Sequence, residues 1–195
     1  MVAPSQADAT DARRVLDGQL RECYGRVVYS HKTHEKCADI LLARHSFIKV
    51  SQIVLSALTT AGFVSTFFPM TSALGAAIGF FVSTALLVLN AYTKDYDLGE
   101  LAQKHKQAAN DIWLLRERYL SLLTDLAADA RPLEVLRSER DELVTALHTV
   151  YSGSPSTTHA AYKKAQEALQ RHQDMTFSDA EIDAFLPSEL KRATE

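Results

Sequence analysis

The sequence lacks charged residues over one long stretch. From Val50 to Thr93 there is no Asp, Glu, Lys or Arg, a gap of 44 residues in a chain in which 23% of residues are charged. At that frequency of charge, a gap of this length is not a chance fluctuation. The net charge of -3 averages over this segregation and does not by itself define the class of protein.

Other features are scarce, and each scarcity excludes a class of function. The slightly acidic balance gives no electrostatic footprint for nucleic acid. The two cysteines, Cys23 and Cys37, predict free thiols in a reducing compartment. No Gly-rich phosphate loop, nucleophile elbow, paired-cysteine motif or zinc-protease helix occurs. The sequence therefore predicts neither an enzyme nor a cofactor.

One short stretch, HKTHEKC, could suggest a metal site. It places His31, His34 and Cys37 at intervals of three. On a helix these side chains fan out by about 60° per step, and a zinc site normally needs a fourth ligand. A polar helix face at an interface is the preferred interpretation, and no metal is predicted.

The charge-free stretch divides into two segments of bilayer length. Residues 50–68 and 73–93 would each form a helix of about 30 Å, the thickness of the hydrocarbon core. Between them, Pro69 disfavours continuation of the first helix and Ser72 is a candidate N-cap for the second. The sequence thus predicts a transmembrane hairpin with a turn at 69–72. The alternative, a buried hairpin of a soluble bundle, would normally show a more polar stripe.

Basic residues predict the orientation of this hairpin. Lys and Arg occur in the twenty residues before and after the apolar stretch but not in the turn. By the positive-inside rule both arms, and therefore both termini, are expected in the cytosol. The residues concerned are Lys32, Lys36, Arg44, Lys49, Lys94, Lys104 and Lys106.

Two stripes inside the hairpin are candidate functional surfaces. Gly75, Gly79 and Ser83 form a small-residue stripe that would allow close helix packing, within one subunit or between subunits. The first pass carries a polar stripe, and a polar side chain in hydrocarbon should face protein or a water-filled lumen. This stripe is a candidate pore lining, with ion selectivity set by charges at the cytosolic mouth. The candidate pore-lining residues are Gln52, Ser56, Thr59 and Thr60, and the candidate mouth charges are Lys49, Asp95 and Asp97.

The flanking regions predict helical arms. After the membrane, a heptad-like seam comprises nine positions: Leu98, Leu101, His105, Ala108, Ile112, Leu115, Tyr119, Leu122 and Leu126. A looser seam before the membrane comprises eight: Leu16, Leu20, Cys23, Val27, Ser30, His34, Cys37 and Leu41. In the tail, Ser178 and Glu181 form a capping box, and Pro187 ends the helix that it starts. The tail is expected to dock onto its own stalk or onto a partner. The predicted segments are a disordered start (1–11), an N-terminal helix (12–49), a stalk (94–151), a linker (152–158) and a helical tail (159–195).

The chain resembles the SLATT family of two-pass membrane proteins, the SMODS- and SLOG-associating two-transmembrane effector domains. The resemblance covers roughly residues 12–187. It is carried by the two uncharged passes and by KDYDLGELAQKHKQAANDIWLLRERYLSLL, AAYKKAQEAL and MTFSDAEIDAFLP. It implies an all-α membrane protein: a two-pass helical hairpin with long coiled-coil-like cytosolic arms and a short helical tail. It transfers no catalytic residue.

The resemblance also implies a role and partners. Such a protein is expected in the bacterial inner membrane as an effector of anti-phage defence, forming homo-oligomers that breach the membrane. The signal would come from a partner such as a nucleotidyltransferase, a SLOG-type sensor or a reverse transcriptase. Two other hypotheses remain at this point, a non-conducting membrane scaffold for a soluble partner and a soluble α-bundle protein.

Overall fold

A computed structural model describes residues 6–68, 70 and 72–192 of the chain. Within these residues the fold is all-helical, as predicted, and contains no strand. Six α-helices are followed by a short 3₁₀ helix at Ser188–Leu190. The α-helices are α1 (Gln6–Ser65), α2 (Ser72–Asp95), α3 (Leu98–Ala127), α4 (Leu133–Gly153), α5 (His159–Gln170) and α6 (Asp179–Phe185).

The first helix is longer than the sequence suggested. α1 runs for 60 residues without interruption, joining the predicted N-terminal helix and the first apolar pass. At 1.5 Å per residue it is about 90 Å long. Residues 6–11, predicted to be disordered, are helical. The helix ends at Ser65, three residues before the predicted boundary, because Thr66, Phe67 and Phe68 turn through i→i−3 backbone hydrogen bonds of 3.1–3.2 Å.

The second pass and the stalk are separate helices. α2 ends at Asp95, and α3 begins at Leu98 with Asp97 as its N-cap. α2 already includes Ser72, so this residue lies within the helix and does not precede it as a cap. Pro69 and Thr71, the other residues of interest in the predicted turn, lie outside the described residues.

α1 runs antiparallel to α2 and α3. Three contacts along its length establish the register: Arg13 with Asp129, His34 with His105, and Gln52 with Asn90. In each pair, a residue further along α1 meets a residue earlier in the returning chain. The N-terminal helix and the stalk therefore pack against each other within one chain.

The core of the region outside the two apolar passes lies between α1, α3 and α4. Of the nine predicted seam positions in α3, seven are buried, whereas Leu98 is half-buried and Leu101 is exposed. The looser seam of α1 buries five of its eight positions. The fully buried large side chains are Leu20, Val27, Ile112, Tyr119, Leu122, Leu136 and Leu143. The two seams thus pack against each other, and α4 folds back over them.

The apolar parts of α1 and α2 have the opposite character. Each contains an 18-residue window that is long and apolar enough to cross a membrane, and only 0% and 6% of these windows are buried. A soluble core hairpin would bury these residues, so their exposure disagrees with the soluble-bundle alternative. The exposed side chains include Ile53, Phe63, Phe80, Phe81 and Leu87.

Candidate functional site

The two apolar helices meet through glycines near the turn. Gly62 of α1 and Gly75 of α2 are both buried. A Cβ placed on Gly75 would overlap with Ser65 Oγ and lie 3.0 Å from the carbonyl oxygen of Gly62. A Cβ on Gly62 would lie 3.2 Å from Gly79 Cα. Only glycine allows the backbones to approach this closely.

The small-residue stripe therefore serves two different surfaces. Gly75 packs inside the hairpin, whereas a Cβ on Gly79 would meet nothing within 4 Å. Ser83, one turn further on, is half-buried and donates its hydroxyl to the carbonyl of Phe80 at 3.0 Å. Gly79 lines a shallow groove of about 230 Å³ on the outer surface of the hairpin, together with Thr59, Gly62, Phe63, Thr66, Gly75 and Ala76.

The polar side chains of the first pass find hydrogen-bond partners within the chain. Gln52 donates to Asn90 Oδ1 at 2.8 Å and to Thr93 Oγ1 at 3.3 Å, so it ties α1 to α2. The hydroxyls of Ser56, Thr59 and Thr60 donate to the carbonyls four residues earlier, at 2.7, 2.8 and 3.0 Å. These bonds remove the energetic need for water beside the four residues, although Ser56 and Thr60 remain exposed on the hairpin surface.

The three candidate mouth charges lie together where the hairpin joins the stalk. Lys49 and Asp95 are exposed. Asp97 accepts a hydrogen bond from the backbone amide of Glu100 at 2.9 Å, which caps α3. This bond, with smaller contributions from the Gly99 amide and from His45 and Lys49, lowers the pKa of Asp97. Asp97 thus has a structural role in addition to any effect on ions.

The histidine-rich stretch faces the interior of the stalk. His31, His34 and Cys37 are all buried against α3, as the interface interpretation requires. His34 Nδ1 lies 3.0 Å from Nδ1 of His105, so one ring donates and the other accepts. Within residues 6–68, 70 and 72–192, no group of three or more His, Cys, Asp or Glu side chains has the geometry to hold a metal ion.

The buried histidine pair predicts a pH dependence of stability. Burial, then the neighbouring His105 and His31, lowers the pKa of His34 to about 4. The unfolded chain binds a proton at this position below about pH 6.5, and the folded chain does not until about pH 4. The free energy of unfolding should therefore fall as the pH is lowered from 6.5 to 4, by roughly 3 kcal/mol.

Urea unfolding in detergent at a series of pH values, followed by the fluorescence of Trp113, measures this dependence. A His34→Gln variant keeps a hydrogen-bonding side chain but cannot titrate, so it should lose the His34 part of the slope between pH 6.5 and 4. His31 and His105, whose pKa values burial also lowers, should retain theirs. An unchanged slope in this variant would assign the dependence to other groups.

The tail is fastened to the stalk by a buried lysine. Lys32, only 9% exposed, contacts Glu35 at 3.1 Å in its own helix and Asp174 of the tail at 3.0 Å. Met175 lies beside Arg116 of α3, and α5 packs its alanines against α1. The tail thus docks onto its own stalk as far as residue 175, which is one of the two outcomes that the sequence allowed.

Beyond Met175 the side chains of the tail are largely exposed. The capping box is confirmed, with Ser178 and Glu181 bonding each other's backbone amides. The apolar side chains of this segment are nevertheless exposed: Phe177 is 68% and Phe185 is 84% exposed. Neither α6 nor the 3₁₀ helix contains a buried residue.

Three residues that position these features were not predicted. Gly62 supplies the α1 side of the glycine contact, Asn90 pairs with Gln52, and Lys32 holds the tail. The signal for the first two was present, because a lone glycine and a lone amide within an apolar pass both suggest a helix contact. Lys32 gave no such signal, since a lysine next to glutamate on a helix normally lies in solvent.

The chain was compared with protein-family models, with curated proteins and with solved structures. The model of the SMODS and SLOG-associating 2TM effector domain family 4 matches residues 16–181. No curated protein and no solved structure matches. The matched region includes both apolar passes, the stalk and α5, so the family model and the helical hairpin describe the same architecture. The chain therefore belongs to the SMODS and SLOG-associating 2TM effector domain family 4, a family of two-transmembrane effector domains of conflict systems.

Proposed function

We propose that this protein is a membrane effector of bacterial anti-phage defence that assembles with copies of itself and opens a pore or disrupts the bilayer. It catalyses no reaction in this proposal. A signal from a partner triggers assembly, the membrane depolarises, and the infected cell stops growing or dies. The partner classes that fit are a nucleotidyltransferase, a SLOG-type sensor and a reverse transcriptase.

The observation that carries this proposal is the outward-facing groove at Gly79. The internal contact of the hairpin uses Gly62, Gly75 and the backbone of Gly79, whereas the side-chain direction of Gly79 is open. A glycine within an apolar helix costs up to about 1 kcal/mol relative to alanine. Close approach of another transmembrane helix would offset this cost. Ser56 and Thr60, exposed on α1, would then face the space between neighbouring hairpins.

In this proposal the hairpin lies in the inner membrane with both termini in the cytosol. The basic residues flank the apolar passes on the stalk side, with Lys49 before them and Lys94 after them. The residue described in the turn, Met70, is uncharged and fully exposed. The stalk and tail are thereby placed where a cytosolic partner would reach them.

High-level induction of the protein in bacteria should drive assembly by mass action without the partner's signal. It should therefore depolarise the membrane, and Gly79→Leu should abolish this effect. The leucine side chain fills the outer groove and prevents close approach of a second hairpin, while the internal contact at Gly75 is unchanged. A voltage-sensitive dye measures the potential, and membrane fractionation checks that the variant inserts. Undiminished depolarisation by an inserted Gly79→Leu protein would contradict the proposal.

Neutralising the mouth charges should change ion preference without unfolding the stalk. Asp97→Asn is the appropriate variant because asparagine caps a helix as well as aspartate does, whereas alanine would cost about 1 kcal/mol. Lys49→Gln and Asp95→Asn complete the set. Reversal potentials in planar bilayers under a salt gradient should shift for the combined variant. If the reversal potential is unchanged, these residues do not line the mouth.

A second function is favoured by one observation. The four polar residues of the first pass are satisfied within the hairpin, and Gln52 fastens α1 to α2. A hairpin of this kind does not require a water-filled lumen and could anchor a soluble partner without conducting. Truncation after Thr176 would then release the partner from membranes and leave conductance at its baseline, whereas a pore-forming protein would show conductance when activated.

A further inference from the structure

A second groove lies on the cytosolic part of the chain, between α1 and the start of α5. It has a volume of about 580 Å³ and is lined mainly by apolar surface. Tyr29 and Tyr162 form one wall, with ring centroids 5.9 Å apart. Thr157, Arg26 and Glu22 also line the groove, and Arg26 contacts Glu22 at 3.3 Å. Among the described residues of the tail, none after Tyr162 lines the groove.

A glycine in the wall of this groove is not explained by packing within the chain. Gly25 lies in the interior of α1, and a Cβ there would meet nothing within 4 Å. Alanine at this position would stabilise the helix by roughly 0.5–1 kcal/mol. A glycine that faces an open apolar groove instead leaves room for an incoming group to approach the helix backbone.

The exposed end of the tail has matching properties. Segment 177–192 carries four acidic and two basic residues, and Arg192 contacts Asp179 at 2.8 Å, whereas segment 159–171, beside the groove, carries three basic residues and one acidic residue. Phe177, Phe185 and Leu190 are 68%, 84% and 65% exposed. An apolar helix with an acidic face is typical of segments that dock in apolar grooves with basic rims.

The tail and the groove also lie at the same height above the membrane. Asp174 fastens the tail at Lys32, and the groove extends along α1 from Glu22 to Thr33. Two copies in one bilayer share the depth at which Val50 enters the membrane. Lys32 lies 18 residues before Val50, so at 1.5 Å per helical residue the contact with Asp174 is about 27 Å from the membrane. This height is level with the end of the neighbour's groove that lies nearer to the membrane.

We propose that the acidic tail of one copy, residues 177–190, docks in the Tyr29–Tyr162 groove of a neighbouring copy. The exposed apolar side chains of the segment enter the groove together, with position 185 next to Gly25, and the acidic residues lie against Arg26 and the basic start of α5. In its own chain the tail continues beyond the Lys32–Asp174 contact on the side of Trp113 and Arg116, where Phe177 lies. Docking to a neighbour therefore links copies head to tail through a heterologous contact. This inference rests on the proposed self-assembly and specifies its cytosolic contact.

Cysteine cross-linking of the full-length chain in membranes tests this contact. Two copies with different tags are co-expressed after Cys23→Ala and Cys37→Ala, one with Gly25→Cys and the other with Phe185→Cys. Oxidation with copper phenanthroline, which accepts the two electrons released by the thiols, should give a dimer that carries both tags. Both positions have open space or high exposure, so the substitutions should preserve the fold.

Gly18→Cys is the matched control. Gly18 is also a glycine of α1 with open space around it, on the same helix face but about 10 Å further from the membrane. The Gly25→Cys pairing should give at least tenfold more mixed dimer than the Gly18→Cys pairing. Equal yields, or no mixed dimer, would overturn the proposal. A chain with both Gly25→Cys and Phe185→Cys that forms only an internal disulfide would overturn it as well, because the tail would then occupy its own groove.

The dye assay separates this proposal from the proposed function. Mixed dimers without depolarisation would support tail docking and contradict the pore. Depolarisation without mixed dimers would support the pore and overturn tail docking. As an independent check, Gly25→Leu should fill the groove and reduce cross-linking between Thr157→Cys and Phe185→Cys at least tenfold, whereas Gly18→Leu should leave it unchanged.

Discussion

Replacing Gly75 by leucine should separate the two membrane helices. Any side chain at this position would overlap with Ser65 Oγ and press on the carbonyl oxygen of Gly62, and backbone atoms cannot move aside as a flexible side chain does. We expect a loss of about 3 kcal/mol, at the upper end of the cost of overpacking. For a chain of this size that corresponds to a drop in melting temperature of about 6–12 °C.

Size-exclusion chromatography of detergent-solubilised protein after heating measures this loss as the temperature at which half of the monodisperse peak disappears. Gly79→Leu is the matched control, because the same side chain four residues later points into open space. It should change that temperature by less than about 2 °C. Equal losses for both variants would show that the hairpin does not pack through Gly75. The pair thus separates packing within one hairpin from assembly between hairpins.

Replacing Tyr119 by alanine should be the most damaging change in the stalk. The ring is 0% exposed and lies in the core between α1, α3 and α4. Burial, with a smaller contribution from Cys23, raises the pKa of its hydroxyl to about 12. Loss of a buried aromatic ring leaves a cavity and typically costs 3–5 kcal/mol, which is a large share of the stability of an ordinary domain.

Urea unfolding in detergent, followed by Trp113 fluorescence, measures the change. Tyr119→Phe keeps the ring and should stay within about 1 kcal/mol of the parent protein. Leu114→Ala, on the exposed face of the same helix, should change the free energy of unfolding by less than about 0.5 kcal/mol. If Tyr119→Ala matched Leu114→Ala, the interior of the stalk would not depend on this ring.

The features predicted well from the sequence are those set by local periodicity. The charge gap defined the hairpin, the seven-residue spacing found Ile112, Tyr119 and Leu122, and the Ser178 capping box is present. Each depends on residues only a few positions apart. The family match, over residues 16–181, confirms the resemblance that these same segments suggested.

The features that the sequence left open depend on register between distant segments. The rotation of α2 about its axis determines whether the side-chain direction of Gly75 or that of Gly79 points at α1. Both glycines belong to the same small-residue repeat, so the sequence does not distinguish them. The pairing of Gln52 with Asn90 spans 38 positions, and that of Lys32 with Asp174 spans 142. Periodicity gives the face of each helix, but not which residue of the other helix it meets.

The unbroken course of α1 has a mechanical consequence. α1 is a single rod through stalk and membrane, whereas its antiparallel partner is jointed between Asp95 and Leu98. About 51 Å of the rod lies between Leu16 and Val50, and about 22 Å lies between Val50 and Ser65. If α1 pivots at the membrane surface, a sideways displacement of the far end of the stalk moves the tip of the hairpin in the opposite direction. The displacement of the tip is a little under half that of the stalk end. The joint lets α2 follow without bending α3. In the proposed effector, a signal received at the far end of the stalk would thus become a tilt of the hairpin without any local unfolding.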